Sequence, residues 1–581
     1  MPDPVSYRIL GSAPSRFLPR RIPPDRALSG LMAGGLLIWC LLFGFTAFLA
    51  EPGGRPDSWL ERGLMVALHL PFLAILLFLA FGLLERFDYF RVAKRPPKPG
   101  VLPPKYPRVC VQLPMFNEDA VAERIIRAAA ALQWPPGALE IQVLDDSTDL
   151  ATQEHVRKVC EGIATDTGIE CQWIHRVDRR GYKAGALEEG RKISEAEYFA
   201  ILDADFLPPA DFLMRTLPHF YDASSSPIED LAVVQAQWGH LNDDESFLTR
   251  AQALWVDDHH TLQMTWRTAA IGFVNFTGTA GVWKAKAIED AGGWRAASLV
   301  EDCELSVRAL FAGYRTRFVG SIVAPAELPQ SVAAYRSQQK RWTQGWAQLQ
   351  RLHMPTLIFR YPTSLLRRIY LIYFASISWQ WFLWTGWIMV LPFLIANGLW
   401  LGAYGVEYAI FTYVFPPLLF TLFSSIAATY QAKPTYLGRN NENWLRRTMR
   451  LGRVVPFTIV NTGMMPHHFC AFIEGMFGPL HAEFVRTPKT ASTGTSLAGA
   501  EATRAAKAAT GPKPAKRKKA ASLIFEAYFV FSLVAWATYF VATGQTFAAF
   551  WSVWIMLCIL GLHFIPAAGA ALHKRALTHE A

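Results

Sequence analysis

Four short clusters in the middle of the chain hold residue types that could do chemistry together. They are Asp145-Asp146, opening the run Asp145 to Asp149; Asp203-Ala204-Asp205; Glu301-Asp302; and Gln338-x-x-Arg341-Trp342. Two carboxylates at the end of a buried apolar run (residues 199–202) repel unless a cation sits between them. Hard oxygen ligands select Mg2+ or Mn2+, and such an ion completes its shell with substrate phosphates. Each cluster also has a plain structural reading. Asp, Ser and Thr cap helix N-termini, a D-x-D triplet is common by chance, acids at a helix start meet the macrodipole, and Trp beside Arg near a membrane can be an interfacial anchor.

Position along the elements favours chemistry. From 108 to 320, short β-branched or apolar runs alternate with helical periods: strands at 109–113, 141–144 and 198–202, helices near 119–132, 151–162 and 211–221. That alternation predicts an α/β domain with a mainly parallel sheet, whose ligands bind beyond the carboxyl ends of the strands. Asn117 and Glu118, Asp145 and Asp146, and Asp203 and Asp205 all follow predicted strands, so three strand ends deliver polar groups to one rim. Glu301-Asp302 opens a helical pattern running to 311. In Asp257-Asp258-His259-His260, adjacent residues point to different helix faces, which favours a solvated or cleft-lining role over a metal cluster.

The rest of the chain belongs to a membrane. It has 581 residues, of which 52% are hydrophobic and 18% charged, with a mean hydropathy of +0.17. That is too apolar for a soluble enzyme of this length. Apolar stretches at 28–49, 64–84, 369–395, 408–429, 523–541 and 547–567 meet the span length of about 20 residues. The first is too long for a signal-peptide core of about 7 to 15 residues. The net charge of +10 gathers beside apolar runs and forms no compact motif for nucleic acid. The positive-inside rule then places both termini and the central segment in the cytoplasm. Seven scattered cysteines without a CxxC pair support neither a disulfide framework nor a zinc site.

The expected organisation is a cytoplasmic leader and two transmembrane helices (1–100), a catalytic domain with an interfacial helix (101–350) and two transmembrane helices (351–432). An interfacial helix with a loop follows (433–489), then a disordered basic linker (490–521) and two final transmembrane helices (522–581). Breaks at Pro456, Pro466, His467 and His468 favour an interfacial helix over a seventh span for 454–478. The linker, rich in Ala, Thr, Ser, Gly, Lys and Pro, should leave its basic end near anionic lipid headgroups.

Taken in order, the four clusters resemble the signature of the family-2 glycosyltransferases of the cellulose synthase superfamily: a first Asp, D-x-D, E-D and Q-x-x-R-W. The flanking text is most similar to plant cellulose synthase-like A and C proteins, notably Val111 to Glu118, Gly181 to Leu187 and Gly278 to Trp283. Those proteins make β-1,4-mannan or glucomannan, or a β-1,4-glucan backbone. The resemblance implies a GT-A-like nucleotide-sugar-binding α/β domain inserted between about six transmembrane helices. Asn275-Phe276-Thr277-Gly278-Thr279 stands where bacterial cellulose synthases read F-F-C-G-S, so acceptor contacts should differ. Phe484 to Lys489 is similar to their gating loop except at Arg486, and no PilZ-like stretch is present.

The implied chemistry is inverting transfer of a sugar from a nucleotide diphosphate. Asp302, with Glu301 beside it, is the expected base, and Asp203 and Asp205 the expected ligands of Mg2+ or Mn2+, which screens the diphosphate. Gln112, Glu118, Asp145, Asp146, Lys183, Gln338 and Arg341 are expected to bind the nucleotide sugar, UDP-glucose or GDP-mannose. The resemblance gives Phe276, Gly278, Thr279 and Trp342 to the acceptor, and Phe484, Thr487 and Lys489 to gating. Partners are the growing polysaccharide and membrane lipid, without nucleic acid. Trp379, Trp381, Trp384, Trp387, Tyr413, Tyr528 and Tyr539 suggest an aromatic channel, since Trp381 and Trp384 fall inside the third predicted span, beyond an interfacial belt. A transporter would leave the central domain idle and lacks paired charges within its spans. A non-processive lipid glycosyltransferase of the ceramide type shares the D-x-D and Q-x-x-R-W set and is the rival.

Overall fold

The structure, a computed structural model, describes residues 58–403, 405–431, 444–480 and 516–579. The first predicted span, at 28–49, the gating segment with Phe484, Thr487 and Lys489, and most of the linker lie outside the described residues.

A seven-stranded sheet organises the centre, in the order β3-β2-β1-β4-β6-β5-β7. The strands are β1 (Val109–Met115), β2 (Leu139–Asp145), β3 (Glu170–His175), β4 (Tyr198–Ile201), β5 (Leu231–His240), β6 (Gly281–Lys284) and β7 (Arg315–Ala326). β3, β2, β1 and β4 pair in parallel, whereas β6 runs antiparallel to both β4 and β5. The sheet is therefore mixed. Its central strands are buried in continuous runs because helices cover both faces; all of β2 is buried, Glu140, Gln142 and Asp145 included. Helix α1 (Asp119–Ala130) buries Val121, Ala122, Ile125, Ile126 and Ala129, a stripe at helical spacing. In α2 (Leu150–Thr167), Asp149 accepts from the Thr152 amide and Gly168 ends the helix at φ +68°. The helix expected near 211–221 is broken into a short α-turn, Phe212–Thr216, and a 3-10 turn, Leu217–Phe220, with Pro218 at the junction.

Helix α3 (Tyr182–Ile193) leads into β4, and α4 (Phe247–Asp257) continues through a π-helical turn, Asp258–Met264. Helix α5 (Glu301–Phe311) carries the acid pair on its first turn, and α6 (Val332–Phe359) carries the Q-x-x-R-W residues. These two helices approach closely: a Cβ on Gly345 of α6 would stand 2.6 Å from a Val300 methyl.

Five described helices are long and apolar enough to cross a membrane: Trp59–Val92, Trp379–Ala403, Val406–Gln431, Ser522–Ala542 and Thr546–Ile565. The third predicted span is corrected. Residues Leu365–Ala375 form a separate helix, capped by Ser364, and the next begins at Trp379 after the break at 376–378. Trp381 thus stands in the first turn of its helix, and depth within a span no longer argues for it. The stretch 454–478 folds as two short helices, Val454–Gly463 and Met465–Phe477, packed on α6 and the membrane helices. The basic end of the expected linker is helical, since Lys516 opens the helix Lys516–Ala542.

Candidate active site

The strand ends and helix starts converge on one cavity of about 470 Å3. Its first wall is acidic. Asp203 and Asp205 follow β4, and the Asp203 backbone amide donates to Thr279 Oγ1 at 2.9 Å. The Lys183 ammonium, on the first turn of α3, donates to Asp203 Oδ1 at 2.6 Å and to the Gly278 carbonyl at 2.8 Å. It thereby ties the D-x-D loop to the 275–279 segment. Burial alone would lower the Lys183 pKa, but the Asp203, Glu301 and Asp302 carboxylates outweigh it and hold the ammonium charged.

Glu301 and Asp302 face the same space. Burial, reinforced by the Asp302 charge, pushes the Glu301 carboxyl up to about 7. Burial raises Asp302 as well, against the Cys303 amide that donates to Asp302 Oδ1 at 2.7 Å. Gly278 adopts φ +85°, and a Cβ there would stand 2.9 Å from Asp302 Oδ2. The glycine is required both by its conformation and by the carboxylate above it. Arg341 and Gln338 reach the cavity from α6. Burial holds Arg341 below its usual pKa, opposed by Glu301, Asp203 and Asp302.

Not every expected residue reaches this space. Asp203, Asp205, Glu118, Asp146, Lys183, Gly278, Glu301, Asp302, Gln338, Arg341 and Trp342 line the cavity. Gln112 is on the wall of neither the acidic nor the aromatic side. It is buried behind the sheet, where its amide donates to Gln142 Oε1 at 3.0 Å and to the Leu187 carbonyl at 3.3 Å. Asp145 is buried too, accepting from the Ser147 amide at 2.9 Å and from Trp173 Nε1 at 3.0 Å. Asp146 does line the cavity, with both oxygens accepting from Arg176 at 2.8 and 2.6 Å. The Phe276 ring is buried in the core, 5.7 Å from Trp283, and Thr279 is enclosed beneath the D-x-D loop. Gln112 lies in the middle of β1, short of its carboxyl end, Asp145 is taken up by Ser147 and Trp173, and the tight 275–281 turn sends Phe276 and Thr279 inward.

The second wall is aromatic and polar, and much of it was not legible in the sequence. Trp342 stacks on Trp255, centroids 5.7 Å apart at 27°, and Trp238 and Trp346 also line the cavity. Toward the membrane helices the lining continues with Gln380, Trp381, Trp384, Thr421, Ser424 and Ser425. The Trp381 ring is backed by His468, centroids 4.0 Å apart at 10°, and His468 Nδ1 lies 2.7 Å from Thr343 Oγ1. Trp387 and Tyr413 instead pack together among the helices, and Tyr528 and Tyr539 are exposed on the outside. Asp258, His259 and His260 all reach the cavity. They lie in the π-helical turn Asp258–Met264, which is wider than an α-helical turn.

Among the described residues, Trp238 Nε1, Thr277 Oγ1, Gln339 Nε2 and Ser424 Oγ on this lining are buried with no hydrogen-bonding partner from the protein. Buried polar atoms are normally satisfied, so these atoms are open to hydrogen bonds with water or a polar ligand. Asp203 and Asp205 are joined by no third acidic, histidine or cysteine ligand among the described residues. Two carboxylates of this kind suit an ion that takes its remaining ligands from phosphate and water.

Comparison with known proteins agrees with this geometry. Residues 110–281 match the family described as glycosyl transferase family 2, and residues 198–424 match glycosyl transferase family group 2. Glucomannan 4-beta-mannosyltransferase 1 of Oryza sativa subsp. japonica is 41% identical over 271 residues, covering 46% of this chain and 51% of that protein. Glucomannan 4-beta-mannosyltransferase 9 of Arabidopsis thaliana is 41% identical over 271 residues, 46% of this chain and 50% of its own. This chain thus spans about half the length of the curated relatives it matches. A solved mannosyltransferase from Pyrobaculum calidifontis, in complex with GDP-Man and Mn2+, is 18% identical with a TM-score of 0.43, covering 72% of this chain and 99% of its own. The two family matches overlap on β4, β5 and the D-x-D loop and together take in the sheet, the acid pair and the Q-x-x-R-W helix, so the central region of this chain is similar to glycosyltransferase family 2 domains.

Proposed function

We propose that the protein is a processive, inverting hexosyltransferase that polymerises a β-linked hexan of the mannan or glucan type from a nucleotide sugar and passes the growing chain into the membrane. The observation that carries this reading is the single cavity shared by the acid pair and by Trp381, Trp384 and Ser424 of the membrane helices. A single-transfer enzyme needs the acidic end alone. A polymerase needs room for the product beyond it, lined by flat rings for sugar faces and by polar atoms for sugar edges.

In this reading the donor lies between the acidic wall and Arg341, with Glu118 and Asp146 toward its nucleoside. Asp203 and Asp205 would hold a divalent cation, which when bound supplies Lewis-acid charge against the diphosphate. The acceptor hydroxyl attacks the anomeric carbon in line, and Asp302 takes its proton as the bond forms. Burial raises the Asp302 pKa above the usual carboxylate range, which makes it a stronger base. Lys183 and Arg341 keep their positive charge facing the departing diphosphate, and Trp342 holds the acceptor sugar by its face. The catalytic domain is assigned to the cytoplasmic side, where Lys and Arg cluster, and the names of the plant relatives favour mannose as the sugar.

The test is direct. Membranes containing the protein are offered GDP-mannose, UDP-glucose and UDP-N-acetylglucosamine separately with Mg2+ or Mn2+, and the product is sized and its linkages determined. A long β-linked hexan is expected. A lipid bearing one sugar as the sole product overturns the reading.

A further inference from the structure

The π-helical turn places His259 on the cavity lining in a defined chemical state. His259 Nδ1 lies 2.8 Å from Gln263 Oε1. The other end of that amide, Nε2, donates to Glu85 Oε2 at 2.6 Å. Glu85 is fully buried and paired with Arg267 at 2.9 Å, and it also accepts from the Tyr370 hydroxyl. A carboxylate held by an arginine can only accept, so Gln263 must turn its NH2 toward Glu85 and its carbonyl toward His259. The proton on the His259 ring is therefore on Nδ1, and Nε2 carries a lone pair. Burial, with the nearby Arg267 charge, brings the His259 pKa down to about 4, so the ring is neutral at working pH. The ring plane is set as well, since His259 lies parallel to Trp255 (13°, centroids 6.3 Å apart), which stacks on Trp342.

We propose that His259 is a specificity residue for the acceptor chain: its Nε2 accepts a hydrogen bond from a hydroxyl at the edge of a hexose whose face lies on the Trp255–Trp342 stack, and Gln263 and Glu85 are the positioning residues that fix its tautomer. The inference rests on the polymerase reading and adds to it the chemistry of one contact. Arg341, which also lines the cavity, offers only donors; His259 supplies an acceptor for the proton of a sugar hydroxyl. Because Glu85 belongs to the membrane helix Trp59–Val92, the contact is set jointly by that helix and the catalytic domain.

The experiment compares wild type with His259→Phe and His259→Gln in detergent-purified full-length protein. Extension of a β-1,4-linked mannohexaose or cellohexaose acceptor is measured alongside hydrolysis of the donor, GDP-mannose and UDP-glucose in separate arms. His259→Phe keeps the ring and the stack but loses the lone pair. It should raise the KM for the acceptor about tenfold, as expected for one unsatisfied buried hydrogen bond, with donor hydrolysis within twofold of wild type. His259→Gln, whose side-chain carbonyl can accept, should recover part of the loss. Gln263→Leu should fall between Phe and wild type. An unchanged acceptor KM in His259→Phe overturns the proposal, as does a parallel loss of donor hydrolysis, which would mark a merely structural role. If wild type extends neither acceptor and glycosylates only lipid, it is the polymerase reading that fails.

Discussion

The acidic end of the cavity and its membrane end are assembled from different kinds of sequence. At the acidic end, each contributor is a short contiguous motif at a strand end or helix start, and its groups are charged and mutually paired: Lys183 with Asp203, Asp146 with Arg176. At the membrane end, single residues arrive from several helices, and the lining is mostly neutral: Trp381, Trp384, Thr421, Ser424 and Ser425, with Arg86 paired to Asp258 as a charged exception. In the proposed reaction, strong fixed charge suits an end where a diphosphate is held and released once per turnover. Neutral, partly unsatisfied polarity suits an end where a ligand must pass, because tight contacts there would stall it.

The contrast can be broken first at the acidic end. Asp302→Asn should lower transfer by about 10²-fold or more while leaving nucleotide binding intact, and Asp203→Asn should abolish transfer in protein that remains folded by size-exclusion chromatography. Gly278→Ala should be nearly as severe. Its methyl meets Asp302 Oδ2 at 2.9 Å from a backbone of φ +85°, so activity should fall by at least tenfold with little change in expression. If any of these three variants shortened the product without slowing transfer, the division between the two ends would be wrong.

At the membrane end the expected effects are smaller and of another kind. Trp384→Ala and Ser424→Ala should shorten the product, read by size-exclusion of the released glycan, with donor hydrolysis within about threefold of wild type. The smallest effect concerns pH. Glu301, raised to about 7, is neutral below that value and charged above it. Transfer should therefore lose an acid limb near pH 7 in Glu301→Gln. A raised carboxyl adds stability in full below its unfolded value near 4.5, and this is lost as pH rises through about 7. Glu301→Gln should accordingly melt higher than wild type at pH 8 and alike at pH 5, by differential scanning fluorimetry.

What could be read from the sequence follows the same division. The acidic end was legible because a carboxylate after an apolar run states both its chemistry and its place. Within it, Gln112, Asp145, Phe276 and Thr279 were misplaced, since a motif gives residue order and not which alternate side chain faces the rim. The sheet is mainly parallel, as expected; the antiparallel strand β6 is only four residues long, too short for its direction to show in a pattern. The membrane end was legible only as composition. Trp238, Trp255 and Trp346 carry no local signal of a cavity, and the break at 376–378 falls between two apolar helices that read as one run.

The π-helical turn at Asp258–Met264 has a consequence for how this wall can change over generations. A turn bonded i to i+5 holds one residue more than the α-helical turn it replaces, so a single-codon deletion could restore an unbroken α-helix without costing the backbone its hydrogen-bond ladder. The same deletion would rotate His259 and its neighbours around the helix axis by about 100°. Divergence at this wall is then expected to come through insertions and deletions of one residue more than through point substitution, with the scaffold surviving each step.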